Sequence, residues 1–295
     1  MKPLNILLPV DGSPASLQAC RLVAGYARDR SRIRTTLLNV RRPPLHLSPD
    51  FGVDHAVLEA AMREQGEGEL QPGRVLLAAS GFQPECIVRV GPPADTILDA
   101  ARRLENCVVV MGGGRPGSLG GYAIGSVALR VAPAAACPVV LVGPGARLPS
   151  DPGSRLRVAA PVDGSPEAAQ AVRRLVECAG LLGRLHVDLV HFRTGLALAA
   201  AILPPHDDVL EGWSGRDFAA ALDGPAQMLA DAGIPHDVHR LTGAPETDIA
   251  LFAQRQGAEL IAIGTRGTGA MHHLLLGSAA LKTALASDVP VAFMR

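Results

Sequence analysis

Aromatic residues are scarce in this chain, at 3% of its 295 positions. Platforms that stack single-stranded nucleic acid need such side chains, so nucleic acid is set aside as a ligand. Lysine is rarer still, present only as Lys2 and Lys282. Lysine and arginine together number 28 against 28 acidic residues, so no net field steers the chain towards a polyanion or an anionic membrane. The five cysteines, Cys20, Cys86, Cys107, Cys137 and Cys178, form no C-x-x-C pair and no metal spacing with histidines. Free buried thiols are the expectation. Apolar runs long enough to span a bilayer are also missing: the longest, residues 131–142 and 196–203, are short or broken by Pro133 and Pro138. Met1 to Asn5 leads straight into a strand pattern with no apolar leader or cleavage signature, which predicts a cytoplasmic protein. The phosphate-loop pattern G-x-x-x-x-G-K-[ST], with its lysine, does not occur.

What is present is a repeat. Asn5-Ile6-Leu7-Leu8-Pro9-Val10 is a short apolar run closed by Asp11-Gly12-Ser13-Pro14, followed by helical spacing from Ala15 to Arg28. The hexapeptide P-V-D-G-S-P returns as Pro161 to Pro166, and 163 − 11 gives an offset of 152. The same offset relates Gly91 to Gly243, Gly112 to Gly264, Gly125 to Gly277, Ser126 to Ser278 and Pro138 to Pro290. A register held over the whole length means tandem duplication. The boundaries predicted are a first domain at 1–143, a Gly/Pro/Ser-rich linker at 144–154 and a second domain at 155–295.

Each copy reads as five strands alternating with helices. The strands end at Val10 or Val162, near Val40 or Phe192, at Val90 or Leu241, and at Met111 or Ile263; the last are Val139 to Val142 and Val291 to Met294. Strand–helix alternation argues for α/β architecture, two tandem doubly wound parallel sheets. Variable segments at 41–81 and 193–233 interrupt the pattern, the first with a helical stretch at Ala56 to Met62. Ligands of such sheets bind beyond the carboxyl ends of the strands. There the second copy carries Gly264-Thr265-Arg266-Gly267 and, nine residues on, Gly277-Ser278. Strand, glycine loop and helix start together suit phosphate, because bare backbone can approach it and free N–H groups attract anions. Asp163 closes the first strand and would line the same crevice if the first and fourth strands are neighbours. Its other reading is a turn former accepting an N–H from Ser165 or beyond. Ser278 reads as the N-cap of its helix, a role compatible with a phosphate contact.

The P-V-D-G-S motif, the G-x-x-G-(nine)-G-S loop and the proline-led last strand resemble the universal stress protein family, in tandem over nearly the full chain. The resemblance implies an adenine-nucleotide alpha-hydrolase-like fold of strand order 3-2-1-4-5, and ATP in the crevice, with magnesium as an option. It implies that Asp163, with Pro161 and Val162 beside it, meets the adenosine part, that backbone near Phe192 flanks adenine, and that Gly264, Gly267, Gly277 and Ser278 hold phosphates. Arg266, from its place within the loop, is available to pair with their charge. The corresponding set in the first copy is Asp11, Val40, Gly112, Gly114, Gly125 and Ser126. That copy departs from the motif: Arg115 stands where Gly267 does, so the loop either shifts by one to use Gly114 or binds nucleotide poorly. The second copy is therefore expected to carry the main site.

No catalytic set and no metal ligand set is assigned. His272 and His273 lie in the loop spacer, and His186, His191, His236 and His239 lie on or beside strands, where they read as structural. The leading expectation is a non-catalytic ATP-binding stress-response or regulatory protein. The alternatives are slow ATP hydrolysis using Arg266 or His272 with magnesium, and a nucleotide-free dimerisation scaffold whose glycine loops only pack. An intrachain pseudo-dimer through the two last strands, or a homodimer, fits all three, because those strands would be exposed sheet edges.

Overall fold

A computed structural model describes residues 3–26, 30–43, 55–116, 122–143, 145–146, 155–193, 207–265 and 276–295. The chain divides into two compact units, Met1–Pro152 and Gly153–Arg295.

In the first unit β1 (Leu4–Pro9), α1 (Pro14–Tyr26), β2 (Ile33–Arg41), α2 (His55–Ala79), β3 (Glu85–Val90), α3 (Pro93–Arg103) and β4 (Cys107–Gly112) follow in order. Two short strands, β5 (Arg115–Pro116) and β6 (Tyr122–Ala123), precede α4 (Ser126–Ala134) and β7 (Val139–Val142). β3 pairs with β2, β2 with β1, β1 with β4 and β4 with β7, all parallel. The second unit repeats this with β8 (Leu156–Pro161), α5 (Pro166–Leu182), β9 (Leu185–Arg193), α6 (Asp207–Asp231), β10 (His236–Thr242), α7 (Pro245–Arg255), β11 (Leu260–Gly264), α8 (Ser278–Ala286) and β12 (Val291–Met294). Its parallel pairings, β10 to β9, β9 to β8, β8 to β11 and β11 to β12, give the same order. Counting only the parallel strands of each unit in chain order, and leaving aside β5 and β6, the order is 3-2-1-4-5.

The inner strands read as apolar runs because helices cover both faces. β11 is buried throughout, whereas β3 and β10, last in the order, are largely exposed. Leu7, Leu8, Leu37 and Leu38 in the first unit and Leu175, Leu189, Ile249 and Phe293 in the second are fully buried, each worth about 2 kcal/mol of transfer free energy.

The variable segments hold more helix than the sequence suggests. α2 and α6 each run 25 residues, with Pro72 and Pro225 inside them, and their limits differ by the same 152. Leu70 and Leu77 of α2 are buried, as are Leu222 and Leu229 of α6. Residues seven apart share a helix face, so packing of that face outweighs the hydrogen bond each proline removes. The apolar stretch 196–203 lies outside the described residues.

Candidate functional site at the carboxyl ends of the strands

β8 and β11 are direct neighbours, with Ile261 opposite Ala159. Extending that register places Gly264 level with Val162, one residue short of Asp163. The turn motif and the glycine loop thus leave the same edge of the sheet on adjacent strands, a juxtaposition the sequence leaves conditional.

Asp163 is exposed and follows the buried Val162, and Pro161 ends the strand. Its Oδ1 accepts the Ser165 N–H at 3.0 Å, and Gly164 turns the chain at φ +81°, a conformation glycine tolerates. Ser165 then caps α5, its hydroxyl accepting the Ala168 N–H at 3.1 Å. The turn-forming reading of Asp163 is therefore realised, and one carboxylate oxygen is engaged in it. In the first unit Asp11 does the same for the Ser13 N–H at 3.1 Å, with Gly12 at φ +77°. Burial opposes the charged form of Asp11, but hydrogen bonds from Ser13 and Ser16 outweigh it and hold the carboxyl below its ordinary range.

The glycine loop of the second unit is pinned at its base. Gly277 N–H donates to the carbonyl of Thr265 at 2.9 Å, and Thr265 is buried. Arg266, Gly267, His272 and His273 lie outside the described residues. The N-cap of α8 is Gly277, not Ser278, which is the first helical residue. Gly277 has no side chain, and among the described residues no side-chain cap bond reaches the first helical N–H groups, the kind of helix start that suits an anion. The Ser278 hydroxyl donates to Glu246 on α7, which also accepts from Lys282 Nζ at 2.7 Å; chiefly these two bonds draw the Glu246 carboxyl below its usual range.

The first unit's loop is built differently. Gly112 is level with Val10, and a Cβ there would lie 2.7 Å from the Ala15 carbonyl carbon and 2.9 Å from the Ser16 nitrogen. That glycine lets α1 approach β4, which is a packing role. Gly114 follows β4, and Arg115 and Pro116 pair antiparallel with Ala123 and Tyr122, so the loop folds into a short ladder. Gly125 is again the N-cap and Ser126 the first helical residue; a Cβ on Gly125 would meet nothing within 4 Å.

The walls above the first two strands differ as well, through residues no motif marks. In the first unit Glu69 of α2 reaches over the edge: Oε1 accepts from Arg41 at 2.6 Å and Oε2 from Asn39 Nδ2 at 2.8 Å. A Cβ on Gly12 would lie 3.2 Å from Glu69 Cγ. Asn39 also donates to the Val10 carbonyl at 2.8 Å, which closes the edge beside Val40. In the second unit the counterpart of Glu69 is Ala221, whose Cβ would sit 3.7 Å from a Cβ on Gly164. His191 replaces Asn39; its Nδ1 lies 2.8 Å from the Val162 carbonyl and its ring meets Phe218 edge-on at 5.4 Å. Phe218 itself corresponds to Gly66. The Phe192 side chain is buried against Phe252 on the opposite face of the sheet, so only its backbone reaches this edge.

His186 and His239 join an ion-pair network on the Phe252 face, whereas His236 Nδ1 lies 3.1 Å from the Ile234 carbonyl. Asp188, with a fully buried side chain, accepts from Arg157 Nε at 2.6 Å and Nη2 at 2.8 Å, and His239 Nε2 lies 3.0 Å away. His186 Nε2 lies 2.9 Å from Asp237. Burial raises the Asp188 carboxyl, but the bonds from Arg157 and His239 override it and leave it lowered. His186, Asp188 and Asp237 bring potential ligand atoms within 4.8 Å of one another, yet the Arg157 guanidinium already engages both Asp188 oxygens. The set is a salt-bridge network as it stands.

Comparison with known proteins agrees with this architecture. The family model described as "Universal stress protein family" matches residues 4–143 and again 155–295. The chain is 27% identical to a universal stress protein of Mycolicibacterium smegmatis over 99% of its own length and 97% of that protein. It is 26% identical to universal stress protein YxiE of Bacillus subtilis over 45% of this chain and 95% of that one. Among solved structures, a universal stress protein from Archaeoglobus fulgidus superposes with a TM-score of 0.68 at 22% identity, covering 99% of this chain and 98% of that one. A protein described as a putative universal stress protein from Pseudomonas aeruginosa gives 0.61 at 16% identity, covering 98% and 92%. No helix among the described residues is long and apolar enough to cross a membrane. With both halves matched by one family model, the chain belongs to the universal stress protein family, as a tandem two-domain member.

Proposed function

We propose that this protein binds an adenine nucleotide, ATP foremost, at the carboxyl edge of its second unit, and that occupancy rather than catalysis is its output in a stress-response or regulatory role. The observation that carries the reading is the placement of Val162–Asp163 level with a glycine loop whose ends, Thr265 and Gly277, are hydrogen bonded to each other. Helix α8 offers its first N–H groups to phosphates, joined by Gly264, Gly267 and the Arg266 guanidinium. A carboxylate accepts at up to four lone-pair positions, so Asp163 can hold the Ser165 turn and still take a ribose hydroxyl. His191 and Phe218 offer an aromatic wall to the base, and the Phe192 backbone flanks it. Magnesium would arrive on the phosphates.

The first unit supports weaker binding or none. Glu69 places a carboxylate where the second unit has a methyl group, and the twin loop is closed into the β5–β6 ladder.

Calorimetry with ATP, together with nucleotide analysis of the purified protein, tests this. One ATP per chain is expected, lost in Gly267→Arg. Retention by that variant defeats the loop assignment, and two sites of equal affinity defeat the preference for the second unit. Steady ADP release that Gly267→Arg abolishes would establish hydrolysis instead. No bound nucleotide and no melting shift with ATP would leave the scaffold reading.

A further inference from the structure

Cys107 opens β4, and Cys137 lies two residues before β7, its parallel neighbour. Val109 and Val139 are register partners, and the Val109 N–H donates to the Pro138 carbonyl at 3.0 Å. Carried back two residues, past the start of β7, that register sets Cys137 beside Cys107, and the two side chains interact. Adjacent parallel strands run about 4.8 Å apart, inside the Cα separation that an unstrained disulfide accepts. The pair sits at the amino ends of the strands, away from the carboxyl-end crevice. It belongs to the first unit alone, since the corresponding residues of the second are Glu259 and Val289.

The two thiols are unequal. Cys107 is buried, while Cys137 is half-buried. We propose that Cys107 and Cys137 form an oxidisable dithiol that takes a hydroperoxide as its co-substrate, with Cys137 as the attacking thiolate and Cys107 as the resolving thiol.

Thiol acidity agrees with that division. The interaction with Cys107 holds Cys137 below its ordinary value against the opposing effect of burial, while the same interaction and burial raise Cys107. The other three, Cys20, Cys86 and Cys178, are all raised, chiefly by burial, and this includes the exposed Cys86. Exposure alone would have selected Cys86.

The Cys137 thiolate attacks the terminal oxygen of the hydroperoxide; an S–O bond forms as the O–O bond breaks, and the alkoxide leaves as the alcohol after taking a proton from water. Cys137 is then a sulfenic acid, and the hold that kept the proton on Cys107 is gone. The Cys107 sulfur attacks the Cys137 sulfur; S–S forms, S–O breaks, and hydroxide leaves with the Cys107 proton as water. In sum two thiols are oxidised by two electrons, and one hydroperoxide becomes an alcohol and water, or two waters from hydrogen peroxide.

Peptide mapping of the reduced full-length protein decides this without any variant. After one equivalent of hydrogen peroxide and quenching with a maleimide, two of the five thiols should be lost and a Cys107–Cys137 linked peptide pair should appear, reversed by dithiothreitol. Cleavage after Arg130 puts the two cysteines on separate peptides. In Cys107→Ser the Cys137 sulfenic acid should accumulate and be captured by dimedone; in Cys137→Ser, Cys107 should stay reduced. Absence of the linked pair from the wild-type protein, or oxidation of Cys86 ahead of Cys137, overturns the proposal.

Discussion

Glu69 and Ala221 occupy one position in two helices of equal length, and the carboxyl ends of the two sheets differ accordingly. Over β1 and β2 a carboxylate ties Asn39 to Arg41 and crowds Gly12; over β8 and β9 a methyl group leaves His191 and Phe218 as the wall. The units also diverge on the other face, where Arg157, Asp188 and His239 correspond to the uncharged Asn5, Thr36 and Ile87. Duplication kept the strand order and let each crevice and each charged face take its own chemistry. A fold fixes where a site can be, while a few side chains decide whether it is open.

The largest effect should come from the charged face. Asp188→Asn removes the charge of a fully buried carboxylate whose partner Arg157 is about a third exposed, and should destabilise the second unit by about 2 kcal/mol, read as a lowered urea midpoint. Because Asp188 is depressed in the native state, its contribution is fully present above its ordinary value and is lost as pH falls through the native one. The wild-type second unit should therefore lose stability below about pH 4, and the variant should show a flatter acid limb. An unchanged acid limb would mean that Asp188 is no more ionised in the folded chain than in the unfolded one.

Next is the crevice. Ala221→Glu writes the first unit's carboxylate into a buried position of the second, and the dissociation constant expected for ATP should rise at least tenfold, about 1.4 kcal/mol, measured below the variant's own melting transition. Unchanged affinity would show that the helix wall has no part in the difference between the units. The reverse change, Glu69→Ala, removes the acceptor shared by Asn39 and Arg41 and should cost the first unit about 1 kcal/mol, visible as faster amide exchange along β2. It should not create an ATP site, because the β5–β6 ladder remains. Smallest of all, Lys282→Ala breaks an exposed bridge to Glu246 and should leave the melting curve unmoved, as should removal of its first-unit analogue, Arg130 to Asp95.

Much of this was legible in the chain itself. The 152-residue offset predicts ten strands in two sets, and the last strands Val139–Val142 and Val291–Met294 have the limits expected. Asp163 before Gly164 reads as a turn, and the Ser165 N–H bond shows why. The long helices α2 and α6 were hidden because Pro72, Pro225 and glycines such as Gly66 and Gly73 look like breakers one residue at a time. Only the burial of leucines seven apart reveals the face that overrides them. Glu69 and Ala221 were hidden for the same reason, lying in segments without a motif. The 152 offset, applied there too, was the available signal. Ser278 was misplaced by one because serine is a favoured cap, whereas here the chain caps with Gly277.

The bond from Gly277 to Thr265 has one more consequence. Joining the ends of a segment costs conformational entropy that grows with the logarithm of its length. In the second unit that closure is complete once the strand and helix have folded, before any ligand arrives. A nucleotide bound at that edge would not have to bring those ends together, so a change that breaks this bond should weaken its binding by adding the closure cost.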